Sequence, residues 1–195
     1  MPIIVVFLLA YLLGSLPFGY LLARIWNIDI RERGSGNIGA TNVLRTLGPL
    51  PAALVFGLDL LKGTAAVYLA TSVTTNQWLI VLIGATAILG HMFSVFLGFK
   101  GGRGVATGLG LLLGIAPDIF VGALVLACLI IGLTRYVSVG SIFTPLVVVA
   151  ALIILKRPLP YTIIVSLFTG LIIIKHIPNI KRLLDGSEPK IGERL

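Results

Sequence analysis

Ile119-Phe-Val-Gly-Ala-Leu-Val-Leu-Ala-Cys-Leu-Ile-Ile-Gly-Leu133 carries no charged or amide side chain. Its valines, leucines and isoleucines run on without the two-residue alternation of an outer-membrane barrel strand. Such a stretch reads as an α-helix in hydrocarbon, where a helix satisfies its own backbone groups. The same reading extends outward along the chain. Apolar segments fall at roughly 1–23, 51–72, 78–99, 105–115, 117–133, 137–155 and 159–174. Hydrophobic residues make up 57% of the 195 positions and charged residues 11%, against about 25% charged in a soluble domain. Mean hydropathy is +1.09. The sequence predicts an all-α integral membrane protein, a bundle forming a single domain over 1–195. Met1–Ala23 lacks a basic n-region and is too long for a signal-peptide core, so it is expected to stay as the first span.

A helix needs ~20 residues to cross ~30 Å of hydrocarbon, and the segment at 105–115 is short. It reads either as a short helix buried in the bundle or as half of a broken span from Val105 to Leu133. Charge placement favours seven spans. With the N-terminus outside and Lys62 set aside as intramembrane, the inner face holds Arg24, Arg31, Arg33, Arg45, Lys100, Arg103, Arg135, Lys175, Lys181, Arg182, Lys190 and Arg194. The outer face holds only Lys156 and Arg157, a split of 12 to 2, whereas six spans give 8 to 6. The positive-inside rule selects the first, with a cytoplasmic C-terminus.

The formal net charge of +8 belongs to that orientation and to anionic lipid and substrate. It does not point to nucleic acid, because the aromatic residues sit inside apolar runs instead of among the cations. The single cysteine, Cys128, reads as a small buried hydrophobe and allows no disulfide within the chain.

Polar chemistry concentrates between Arg24 and Gly108. Gly34-Ser35-Gly36-Asn37-Ile38-Gly39-Ala40-Thr41-Asn42 lets backbone N–H groups approach an anion, with Ser35, Asn37, Thr41 and Asn42 as further donors. Arg45 can add a bidentate fork to phosphate. The Gly34-x-Gly36-x-x-Gly39 spacing matches a dinucleotide fingerprint, but membrane helices flank it where that motif needs a βαβ unit. Phe99-Lys100-Gly101-Gly102-Arg103-Gly104-Val105-Ala106-Thr107-Gly108 is a second cradle, placing two cations beside flexible backbone at a helix N-terminus. It lacks the spacing and the Lys-Ser/Thr pair of a Walker loop.

Asp59 and Lys62 share a helix face in or near the membrane, where ionisable groups read equally as a functional pair or as an ion pair orienting the helix. His91 reads as a packing residue. His176 ends an apolar run among cations, where it can cap the helix, bind phosphate or move a proton. Ser138 and Ser141 start a helix and read as caps unless the site converges on them. No second histidine or carboxylate stands at metal-ligand spacing, so no metal is expected. There is no Gly-x-Ser-x-Gly elbow, no Cys–His pair and no His-x4-Asp. An enzyme built this way needs an already activated substrate.

Several stretches together resemble the PlsY family of bacterial acyl-phosphate:glycerol-3-phosphate acyltransferases. They are Gly34–Arg45, Asp59-Leu-Leu-Lys-Gly63, Gly90-His-Met-Phe through Lys100-Gly-Gly-Arg-Gly-Val-Ala-Thr107, Arg135-Tyr-Val-Ser-Val-Gly-Ser141 and His176-Ile-Pro-Asn-Ile-Lys-Arg-Leu-Leu184. The likeness runs along almost the whole chain. It implies a seven-helix fold in the bacterial inner membrane with a site facing the cytoplasm. It also implies acyl transfer from acyl phosphate to the sn-1 hydroxyl of glycerol 3-phosphate, without cofactor or covalent acyl-enzyme. By that likeness Ser35, Arg45, Arg103, Ser141, His176 and Asn179 support catalysis. Gly36, Asn37, Thr41, Asn42, Lys62, Lys100, Gly101, Gly102, Gly104 and Thr107 are expected to help hold the substrates. The family usually has lysine at Arg103, commonly proline at Ser94, and a different pair at Ile177 and Pro178. Arginine at 103 keeps the charge but changes reach and fork geometry.

An acyl phosphate is a mixed anhydride, so two cationic glycine loops need only bring its carbonyl to a hydroxyl. The base is then the acyl-phosphate oxygen or His176, with Asp59 third. The competing reading is a small organic-anion transporter using the same loops as a gate, with Gly114 and Pro117 breaking a helix.

Overall fold

A computed structural model describes residues 1–193; Arg194, counted above among the inner cations, lies outside them. Ten α-helices and two 3-10 turns make up the fold, with no strand among the described residues. They are α1 (Ile3–Ser15), α2 (Phe18–Ile25), α3 (Ala40–Leu47), α4 (Pro49–Thr71), α5 (Gln77–Met92), α6 (Val105–Ile115), α7 (Pro117–Thr134), α8 (Val137–Ile154), α9 (Leu159–Lys175) and α10 (Ile177–Leu184). Their starts are written locally. Proline opens α4 and α7, where its missing N–H costs nothing. Asn76 caps α5, its side chain accepting from Trp78 and Leu79.

By length and apolarity five segments can cross a membrane, α1–α2 counting as one (Ile3–Ile25), and six can do so if α9 and α10, bent by 53°, form one span. The 11-residue α6 is the short helix that the sequence left between two readings. It runs inward from the end that carries Arg103, and α7 returns to that end before Ser141 of α8. The seven crossings expected from the sequence would need α6 to count as one, and its 11 residues fall short of the ~20 that cross a bilayer. Large apolar side chains such as Leu12, Leu61, Leu129, Phe143 and Leu167 stand exposed around the bundle, as they must where the solvent is lipid.

Small residues let the helices touch. A methyl on Gly63 would strike the backbone of Thr107, and one on Gly110 the backbone of Leu60. Gly14 and Gly90 bring α1 onto α5 in the same manner. These are close-approach interfaces of the small-residue kind, where van der Waals contact replaces the absent hydrophobic drive. The α4–α6 contact matters most, because it fixes the helix that begins one residue after Arg103-Gly104. Gly104 itself sits at φ +83, a left-handed geometry that glycine takes without strain.

Candidate active site

The polar stretches converge on one end of the bundle. The turn at 34–42 is folded around Asn42, which is fully buried. Its Nδ2 donates to Ile30 O at 3.0 Å, Arg33 O at 2.9 Å and Asn37 O at 2.9 Å, and its Oδ1 accepts from Ser35 N at 2.9 Å. The expectation that Asn42 binds substrate is therefore corrected: its amide is spent on its own loop. That scaffold turns Asn37 and Thr41 to the cavity, while Ser35 and Gly36 stay exposed at its edge.

Arg45, on α3, donates to Pro189 O at 3.1 Å and stands 3.9 Å from the Glu188 carboxylate. Glu188 is only 4% exposed. Asn179 Nδ2 and Arg182 Nε each donate to it at 2.7 Å. Burial works to raise this carboxyl, but the Asn179 and Arg182 hydrogen bonds prevail and hold it below its ordinary value. Asn179 is thus tied to the tail instead of lining the cavity. Glu188 was not singled out in the sequence. The only signal was an acid among Lys181, Arg182 and Lys190, a pattern that also describes a solvated tail.

Arg103 has no hydrogen bond or ion pair among the described residues, and its guanidinium borders the cavity. Burial first, and then Arg182 nearby, push it down to about 10, still charged at neutral pH. His176 also faces the cavity. Its Nδ1 lies 2.8 Å from Ile172 O, which can only accept, so Nδ1 carries the proton and Nε2 keeps its lone pair. Burial pushes this imidazole down to about 4, with Arg103 adding to the effect against the Ile172 carbonyl. Ser141 lines the same wall, on α8. Pro145, four residues on, lacks an N–H, so the Ser141 carbonyl has no helical donor.

Other expected contacts go elsewhere. Lys62 is 2% exposed and fully engaged by Asp59, His91 and Leu16 O, which corrects its assignment to substrate. Thr107 is fully buried at the α4 contact, its hydroxyl without a partner among the described residues, and does not line the cavity. Lys100 stands exposed outside the cavity wall, with Gly101 and Gly102 packed on the backbone and ring of His91. Gly104 lines the cavity.

The cavity itself encloses about 340 Å³. Its polar lining includes Asn37, Thr41, Asp59, His91, Arg103, Ser141 and His176. From there it runs between α6, α7, α8 and α9 past Leu112, Leu124, Ile131, Val148 and Phe168. One ligand fits both ends: an anionic head on a hydrocarbon tail.

The glycerol-3-phosphate acyltransferase family model matches residues 4–186. The chain belongs to the glycerol-3-phosphate acyltransferase family. A glycerol-3-phosphate acyltransferase of a Nostoc species is 45% identical, over 97% of this chain and 92% of its own length. One from Thermus thermophilus is 46% identical, over 96% and 94%. The fold is similar to crystal structures of PlsY (YgiH), an integral membrane glycerol 3-phosphate acyltransferase. The glycerol 3-phosphate form gives a TM-score of 0.94 at 38% identity, covering 98% of this chain and 96% of that one. The lysophosphatidic acid form gives 0.91. Family membership makes this an integral membrane acyltransferase and agrees with the resemblance read from the loops.

Proposed function

We propose that this glycerol-3-phosphate acyltransferase takes its acyl group from an acyl phosphate. It delivers that group to the sn-1 hydroxyl of glycerol 3-phosphate, giving lysophosphatidic acid and inorganic phosphate. The observation that carries this reading is the two-ended cavity, with the Arg103 guanidinium and hydroxyls at one end and hydrocarbon at the other. The acyl tail lies among α6–α9, and its phosphate and carbonyl reach Arg103 and Ser141. Glycerol 3-phosphate enters from the water side toward Arg45, Ser35 and the turn at 34–42.

The hydroxyl oxygen attacks the activated carbonyl, a C–O bond forms, and the carbon–oxygen bond to phosphate breaks. The proton leaves for the His176 Nε2 lone pair or for an oxygen of the departing phosphate. Arg103, and Arg45 behind it, offset charge growing on that phosphate. No protein nucleophile is required, since holding two reactants in register supplies about 7–11 kcal/mol of the barrier. The charge split along the sequence supports a site facing the cytoplasm from the bacterial inner membrane.

The test uses the purified protein with acyl phosphate. Phosphate should appear only when glycerol 3-phosphate is added, together with lysophosphatidic acid. Mass spectrometry after acyl phosphate alone should find no acyl adduct; an adduct that glycerol 3-phosphate discharges would replace direct transfer with a two-step route.

A further inference from the structure

At the cavity wall, three ionisable side chains meet among the membrane helices, Asp59 and His91 lining the cavity and Lys62 lying behind them. Lys62 Nζ lies 2.8 Å from Asp59 Oδ1, 2.8 Å from His91 Nδ1 and 3.1 Å from Leu16 O. An ammonium has three protons and no lone pair, and here it meets three acceptors. His91 Nδ1 also stands 3.5 Å from Asp59 Oδ1; with the ammonium charged, Nδ1 accepts from Lys62, which puts the proton of a neutral ring on Nε2. The Leu16 carbonyl lies where the chain breaks between α1 and α2 at Pro17, and it also accepts from Phe18 N at 3.1 Å. All three side chains are at least 96% buried.

What this arrangement holds still is the glycine loop above it. His91 O accepts from Gly102 N at 3.0 Å. The Nε2 edge of the ring lies flat against Gly102, so closely that a methyl there would land on Nε2, Cε1 and Cδ2. On the other side of Arg103, a Cβ on Gly104 would meet Met92 and Ile88. Both neighbours of Arg103 are thus seated on the end of α5, and the orientation of the His91 ring decides where Gly102 can sit.

Stability alone is a weak reason for such a group. Well-packed apolar residues commonly replace a buried ion pair at no loss, and intramembrane charges usually mark function. We propose that Asp59, Lys62 and His91 are positioning residues for Arg103. Asp59 anchors the Lys62 ammonium, the ammonium locks the His91 ring, and the ring with its carbonyl sets the Gly102–Arg103 backbone. This rests on the reading of Arg103 as a phosphate ligand.

The chain has only two histidines, so 15N spectroscopy of the wild-type protein can read each ring, with His176→Asn for assignment. His91 should carry its proton on Nε2 alone; a proton on Nδ1 overturns the proposal. Of the variants, His91→Asn keeps an acceptor for Lys62 but removes the ring edge. It should raise KM for acyl phosphate and the inhibition constant of inorganic phosphate together, by about 10-fold, with kcat changed much less. Gly102→Ala, which drives a methyl into the ring, should do the same. In the double variant the methyl occupies the vacated space, so its effect should fall well short of the about 100-fold product of independent changes.

An unchanged KM in His91→Asn, a loss confined to kcat, or full additivity would each refute positioning. If His91→Asn does not fold, the wild-type spectrum and Gly102→Ala decide. Wild-type protein that releases no phosphate from acyl phosphate would instead sink the reading of the site itself.

Discussion

Arg103 offers an unpaired guanidinium to the cavity, while Arg45 and Arg182 are partly neutralised by Glu188. Arg103→Ala should therefore cost about 10² or more in kcat/KM, the usual scale for removing a donor to developing charge. Arg103→Lys, which keeps the charge and loses the fork, should retain most of it; equal damage from both would show that shape matters more than charge. His176 gives a pH prediction with a definite sign. Its folded value, about 4, lies below the ordinary imidazole value of about 6.5. The unfolded chain thus takes up a proton that the folded one refuses. The resulting stability is present above pH ~6.5 and is lost as pH falls toward 4. Thermal unfolding across that window should show the decline in the wild type and a flatter curve in His176→Asn. Arg103, Ser141 and His176 could be singled out in the sequence because polar groups stand out on an apolar background, and the structure sets all three along the cavity. Asn42 and Lys62 were misread because the chemistry that suits a ligand suits the protein's own carbonyls and carboxylates equally well. Ser94, where the family commonly has proline, shows the same ambiguity: its hydroxyl donates to Ser15 O at 2.6 Å.

At the level of elements, the α4–α6 crossing sets the base of the site. Gly63 and Gly110 meet backbone, which cannot rotate away as a side chain can. Gly110→Ala should force the helices apart, costing about 1–3 kcal/mol as overpacking usually does, and should weaken activity by moving the start of α6. Gly57→Ala and Gly122→Ala, where an added methyl meets open space, should leave both unfolding temperature and turnover near wild type. Equal tolerance at all of these positions would remove the crossing from the argument. The helices themselves were legible, since long apolar runs and proline starts are local signals. The partner of each glycine was not, because which backbone arrives against it depends on tertiary packing.

For the whole molecule, cations cluster at one end with the cavity mouth, and Asp118 pairs with Arg157 at the other. The tail is drawn back over that mouth: Arg45 holds Pro189 O, and Arg135 holds Ile191 O at 2.8 Å. In a Cys128→Ser background, single cysteines at Lys100 and Ser187 should react with an impermeant thiol reagent from the same side of the membrane, and one at Lys156 from the opposite side. Labelling of Lys100 and Ser187 from different sides would dismantle the shared site. The sequence anticipated the gathering of polar loops through its charge asymmetry. It did not reveal that Glu188 would close the circle.

Cys128, expected from the sequence to be buried, is instead exposed, and it borders the cavity on α7. If the cavity holds an acyl chain as proposed, exposure at this wall gives that chain a sideways door toward the surrounding lipid. On that reading release depends on how readily neighbouring chains part, and turnover should fall in a cold or rigid membrane.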